Sequence, residues 1–192
     1  MKNILTLLMG FALVGCPESV PENKPTVNLP ALGITFPIPA GWVLDESIQY
    51  TDPAKGGTLF QLVRDSAVPG SPRITGSISP LSTRSITLTQ AVKNARHALK
   101  TLQNQQSLVI QYNSTSEIKF IEKPAMKLAH SYTLGSGSAQ LSVTQIEIVS
   151  LHKNRTLSLT AAGRTELFTP LEEEINSIIE SGQYVETPPP KN

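Results

Sequence analysis

The side chains able to do chemistry are few and scattered. One thiol, Cys16, occurs in 192 residues, and His97, His130 and His152 stand far apart with no carboxylate at ligand spacing. Isolated histidines of this kind read as surface or core residues, not as metal ligands. Ser116-Glu117-Ile118-Lys119 and Ser150-Leu151-His152-Lys153 have the Ser-x-x-Lys spacing that, on a helix, sets a lysine beside a nucleophilic serine. Both fall in stretches that read as strand or turn, and neither Ser-Asp-Asn nor Lys-Thr-Gly accompanies them. No His-Glu-x-x-His, phosphate loop, EF-hand or Gly-x-Ser-x-Gly elbow is present. Glu172-Glu173-Glu174 lies in the first turn of a predicted helix, where the positive end favours carboxylates. Asn113-Ser114-Thr115 and Asn154-Arg155-Thr156 fit glycosylation sequons but sit where turns need Asn. The sequence nominates no catalytic residue, no metal ligand and no cofactor, and the chain reads as a non-enzyme.

Cys16 closes a pattern of another kind. Met1 and Lys2 give a positive start, and residues 4–14 form an apolar run of secretory-signal length, too short to cross a bilayer as a permanent helix. Leu13-Val14-Gly15-Cys16 resembles a lipobox, the processing site of bacterial lipoprotein precursors. The resemblance implies that the Cys16 thiol takes a diacylglyceryl group, that Leu13, Val14 and Gly15 are read by the signal peptidase, and that Cys16 becomes the N-terminus. Two or three acyl chains, at about 0.8 kcal/mol per buried methylene, hold a protein on a membrane without spanning it. Pro17 is not the aspartate that typically retains enterobacterial lipoproteins at the inner membrane. The periplasmic face of the outer membrane is therefore preferred over the outer leaflet of the inner membrane.

Residues 17–30 contain four prolines among polar residues and predict an extended, solvated stalk. The expected organisation is a signal peptide over 1–15, a lipid-anchored stalk over 16–30, one domain over 31–183 and a disordered, proline-rich tail over 184–192. Removing the signal leaves 15 basic against 15 acidic residues with no long run of either sign. That balance disfavours nucleic acid or an anionic lipid surface as partner.

The elements follow from periodicity. Ile34, Phe36 and Ile38 alternate before the Pro39-Ala40-Gly41-Trp42 corner, and Leu44, Ile48 and Tyr50 alternate beyond it, predicting two short strands joined by a turn. Trp42 reads as a core anchor. Residues 58–64 predict a strand apolar on both faces, and Ile74, Gly76 and Ile78 one buried on a single side. Leu88, Ala91, Val92, Ala95, Leu99 and Leu102 form one stripe of a helix about 16 residues long, with Thr87 and Gln90 as a capping box and Ile86 as a staple.

Period two then returns. Leu108 and Ile110, Ile118 and Phe120, and Met126, Leu128, His130 and Tyr132 predict meander strands, with a turn at Asn113-Ser114. In the next strand the apolar face changes between Val143 and Ile146, which calls for a bulge or for cover on both sides. Lys153-Asn154 is a hairpin turn before Leu157, Leu159 and Ala161, and Gly163 ends that strand. The last helix has Thr169 as N-cap, Pro170 at its first position, Glu172 completing a capping box, Gly182 past its end, and Leu171, Ile175, Ile178 and Ile179 as its buried stripe. Four strands, a helix, about five strands and a helix make an α+β fold, a mainly antiparallel sheet of about six to nine strands with two main helices packed on it.

Residues 34–42 resemble the "strand, Pro, x-Gly-Trp" opening of PsbP-like domains, including bacterial DcrB-type lipoproteins, and the later element order is similar over residues 31–183. The resemblance implies an α/β/α sandwich serving as an accessory or binding module, with no shared catalytic residues. The expectation is a non-enzymatic, lipid-anchored envelope protein that binds another protein at the membrane surface. One alternative is a carrier of a small apolar ligand between sheet and helix, in a cavity lined by residues such as Trp42, Leu99 and Phe168. A less favoured one is an envelope hydrolase.

Overall fold

The computed structural model describes residues 25–30, 32–48, 55–106, 108–135 and 140–185. The signal, Cys16 with Leu13, Val14 and Gly15, most of the stalk, Tyr50 and residues 186–192 lie outside them. Among the described residues, ten strands form two sheets. The larger has seven strands, all antiparallel, in the order β3-β4-β5-β9-β8-β7-β6. These are β3 (Val43–Leu44), β4 (Gly57–Val63), β5 (Arg73–Ile78), β6 (Val109–Phe120), β7 (Lys123–Leu134), β8 (Leu141–His152) and β9 (Arg155–Arg164). The smaller sheet sets β2 (Ile34–Pro37) between β1 (Thr26–Leu29) and β10 (Gln183–Tyr184). The helices are α1 (Leu88–Gln106), the single turn α2 (Thr165–Phe168) and α3 (Glu172–Glu180).

The large sheet is covered on both faces, and β8 shows why its apolar residues change sides. Its pairing with β7 and β9 runs without a break in register, so cover on both sides, not a bulge, is the answer. Ile146 and Ile148 point into the main core with Leu62, Ile74, Leu159, Phe168, Ile175 and Ile178. Val149 points the other way, to Leu128, Ala91 and Val92 under α1. The small sheet shares the α3 layer through Val27, Leu29, Ile34 and Phe36, whose ring lies 5.3 Å from that of Phe60 and 6.1 Å from that of Phe120. This is an α+β sandwich with α1 on one face and α3 with the small sheet on the other.

Several expectations need correction. The end of the predicted stalk is strand: Val27 and Leu29 alternate inward and pair with Phe36 and Ile34. The fold likewise extends past residue 183, since Tyr184 pairs with Ile34 and the Val185 amide donates to Gly33. Five strands therefore precede α1. The strands flanking the Gly41-Trp42 corner belong to different sheets, and the second ends at Leu44, where the Asp45 carboxylate accepts from the Ser47 amide and hydroxyl and turns the chain.

β6 is one strand, not two, because Asn113 forms a bulge between Tyr112 and Ser114 in place of a turn. The real turn is Ile121-Glu122, both residues at positive φ, as are Lys153 and Asn154 in the next hairpin. On α1, Thr87 caps by accepting from the Gln90 amide, but the Gln90 side chain goes to Asn94, so the capping box is half made. Leu102, predicted to lie on the buried stripe, is exposed. Thr169 does not cap the last helix: the chain is already helical from Thr165, and the Thr169 hydroxyl donates back to the Thr165 carbonyl at 2.8 Å. Pro170 sits in a short 3-10 turn, and α3 starts at Glu172 with no side-chain cap.

Candidate functional site

From Leu88 to Gln106 the sequence of α1 contains no carboxylate, and Lys93, Arg96 and Lys100 recur at a spacing that keeps them on neighbouring turns. The sequence presents these cations as an ordinary solvated face; the fold sets them along a groove. Ridge and floor come from different elements: α1 lies over β7 and β8, and β6, the outermost strand, forms the opposite wall. A cavity of about 400 Å³ has Leu88, Val92 and Met126 as its apolar floor and Lys93, Arg96, Thr115 and Glu117 at its rim. A second of about 410 Å³ continues along Arg96, Lys100, Gln103 and Tyr112. Arg96 spans the groove, its Nη2 donating to Thr115 Oγ1 at 2.8 Å. Neither Lys93, Lys100 nor Glu117 makes an ion pair among the described residues.

Behind the inner wall lies His130. It is fully buried on β7 between Tyr112 and Tyr132, with ring centroids 5.9 and 6.2 Å away. Gln145, directly across the strand pair, approaches it and favours the charged ring, yet neither ring nitrogen makes an aligned hydrogen bond. Burial dominates and pulls its pKa below the ordinary 6.5. Glu147, one step along β8, is pushed up by burial. His152 is buried on the other face of the sheet, stacked on Tyr184, with Lys123 5.0 Å over the Tyr184 ring. Burial first, and then the charges of Lys123, Lys153 and Arg155, lower its pKa.

Trp42 is the core anchor that its position suggested. It is 4% exposed and its Nε1 donates to Glu174 Oε1 at 2.9 Å. Arg64 Nη1 lies 3.4 Å from the same carboxylate oxygen and donates to the Ala40 carbonyl at 2.7 Å. Gly41 turns with φ 82°, and a Cβ there would collide with the Arg64 guanidinium. The Pro-x-Gly-Trp corner thus clamps β3 and β4 to α3. Gly182 is required for packing as well, because a Cβ would enter the Phe36 ring.

The residues singled out from sequence do not converge. Trp42 and Phe168 belong to the core on the α3 side, whereas Leu99 is buried on α1 across the sheet, so these three cannot line one cavity. Ser116 and Lys119 lie three apart on a strand and point to opposite faces, and Ser150 and Lys153 are separated by a strand end. Glu172, Glu173 and Glu174 form the first turn of α3, with Glu174 committed to Trp42. No three His, Cys, Asp or Glu side chains among the described residues converge to hold a metal ion, and no described helix is long and apolar enough to cross a membrane. Within the groove the reactive groups are the hydroxyls of Thr89 and Thr115, the phenol of Tyr112 and the Glu117 carboxylate. The signal that could have found the groove is the missing carboxylates of α1, a bias that overall charge balance conceals.

No family model matches the chain, and no curated protein matches it. Among solved structures, the cyanobacterial PsbP protein, CyanoP, of Synechocystis sp. PCC 6803 superposes with a TM-score of 0.61 over 88% of this chain and 97% of its own, at 12% identity. The fold is PsbP-like. LpqN of Mycobacterium tuberculosis, described as involved in cell envelope biogenesis, superposes with a TM-score of 0.54 over 85% of this chain and 86% of its own, at 18% identity. At these identities the shared PsbP-like property is the sandwich itself.

Proposed function

We propose that this chain is a non-enzymatic, lipid-anchored accessory protein of the bacterial cell envelope whose PsbP-like domain binds another protein at the membrane surface. The observation that carries the binding role is the α1–β6 groove: a concave, cation-rimmed surface with an apolar floor. The anchor rests on Leu13-Val14-Gly15-Cys16, with the outer membrane preferred because residue 17 is proline. A similar fold in LpqN, a protein described as involved in cell envelope biogenesis, is consistent with this placement.

Crosslinking and capture from membranes tests the binding role. The expected result is a specific partner held by the wild-type chain and lost with Lys93→Glu/Arg96→Glu; repeated recovery of no partner overturns it. For the anchor, Cys16→Ala should abolish labelling by radioactive palmitate while the domain stays folded, and persistent labelling refutes the assignment. The apolar floor also favours a second reading, a carrier of a small apolar ligand held by Leu88, Val92 and Met126. Native mass spectrometry should then show a co-purified ligand that Val92→Glu removes.

A further inference from the structure

The groove's outer wall, β6, is the edge of the seven-stranded sheet, so one side of a 12-residue strand carries backbone N–H and C=O groups with no strand beside them among the described residues. The opposite edge is β3, only two residues long. Most of β6 is exposed, including Tyr112, and past the bulge at Asn113 its register from Ser114 to Phe120 is unbroken. A strand added here would lie about 4.8 Å outside β6 and send alternate side chains to the α1 face of the sheet. Thr115, Glu117 and Lys119 face that side, since they pair with Leu128, Met126 and Pro124.

Side chains arriving there meet Arg96 beside Thr115, Lys93 beside Glu117 and Lys119 on β6 itself, three cations against the single Glu117 carboxylate, above the cavity of about 400 Å³; Lys100 lies farther along the groove, beside Tyr112. Charge complementarity selects acids for the outer positions, and the floor of Leu88, Val92 and Met126 selects one large apolar side chain between them. Building on the protein-binding reading above, we infer that the partner docks as an added β-strand on Ser114–Phe120, through an extended segment with inward-facing residues in the order acid, large apolar, acid. Backbone pairing provides affinity, and the cation rim and cavity provide selection. A basic segment is rejected by Lys93, Arg96 and Lys119, and a helix cannot use the edge amides.

The test uses the full chain in detergent and a synthetic peptide as long as Ser114–Phe120, with glutamate, leucine and glutamate at alternate positions and threonine between. Two further peptides are N-methylated, one on each alternate set of residues. The expected result is binding that one N-methylated set abolishes and the other leaves intact, with amide exchange slowed at alternate residues of Ser114–Phe120. Lys93→Glu/Arg96→Glu should weaken it about tenfold or more, as should replacement of both glutamates by lysine.

Absence of peptide binding overturns the inference. So does equal tolerance of both N-methylated sets, which would assign the groove to free anionic amphiphiles, and so does a dimer of the chain whose interface protects the same β6 amides. If membrane crosslinking still captures a specific partner with Lys93→Glu/Arg96→Glu, the docking inference falls while the protein-binding reading stands; if no partner is captured at all, that reading falls too.

Discussion

The two faces of the seven-stranded sheet are built to different ends. Against the α3 face pack most of the large buried side chains, among them Phe168, Ile34, Leu62 and Ile175, together with a second sheet and the Trp42 clamp. Against the α1 face only Ala91, Val92, Leu128 and Val149 form a fully buried cluster, bordered by half-buried residues, and the remaining width opens into the groove. Both helices are amphipathic, yet one carries only acids among its charged residues and the other only bases. Under the proposed binding role, stability and recognition lie on opposite faces of the sheet, and substitutions on the two faces should act separately.

Emptying the α3 face should have the largest effect. Phe168→Ala should cost about 3–5 kcal/mol, the transfer term plus the cavity left in a packed core, read as a fall in denaturant midpoint. A loss under about 1 kcal/mol would show that the two faces are not so unequal. Next comes the clamp: Glu174→Ala leaves the Trp42 N–H buried without its acceptor and should cost about 1–2 kcal/mol, with a change in near-ultraviolet signal from the only tryptophan.

Acid gives a third, smaller effect that can be assigned to each face. His130 lies on the α1 side and His152 on the α3 side, and burial holds both below 6.5. The unfolded chain therefore takes up protons as pH falls through 6.5 while the native rings stay neutral. Stability present above pH 6.5 should decline toward the lowered native values and then level off. Glu147 acts in the opposite sense, because its raised pKa favours the native state at low pH and that contribution is lost as pH rises through the native value. Denaturant midpoints measured against pH should flatten with His130→Gln and, separately, with His152→Gln. An unchanged slope in both would remove the histidines from the acid response. The smallest effect is the most diagnostic: Lys93→Glu/Arg96→Glu should leave stability within about 0.5 kcal/mol while abolishing partner capture.

What was legible in the sequence follows the same division. The apolar stripes of α1 and α3, the double-faced β4 and β8 and the Trp42 anchor are period-and-size signals, and a packed core obeys them. β1 is hard to read because its two inward residues, Val27 and Leu29, sit among prolines whose composition outweighs so short an alternation. β6 reads as two strands because Gln111 to Ser116 is mostly polar, as an edge strand facing solvent permits, and Asn113 serves a bulge as well as a turn. The Ile121-Glu122 turn carries no local signal because a β-branched residue at positive φ is disfavoured; here Ile121 is held by burial in the core. The groove could not be read at all, since it exists only where α1 and β6 meet, and three spaced cations look the same whether they line a recess or face bulk water.

The small sheet has one more consequence. β1 and β10 flank β2 and run parallel to each other, so the described chain enters beside Ile38 and leaves beside Gly33, at opposite ends of β2. Both ends leave from the layer on the far side of the large sheet from α1. A leash attached at either end would therefore pull on the layer that bears the weight of the fold, and the recess would swing free on the opposite side, turned toward whatever passes.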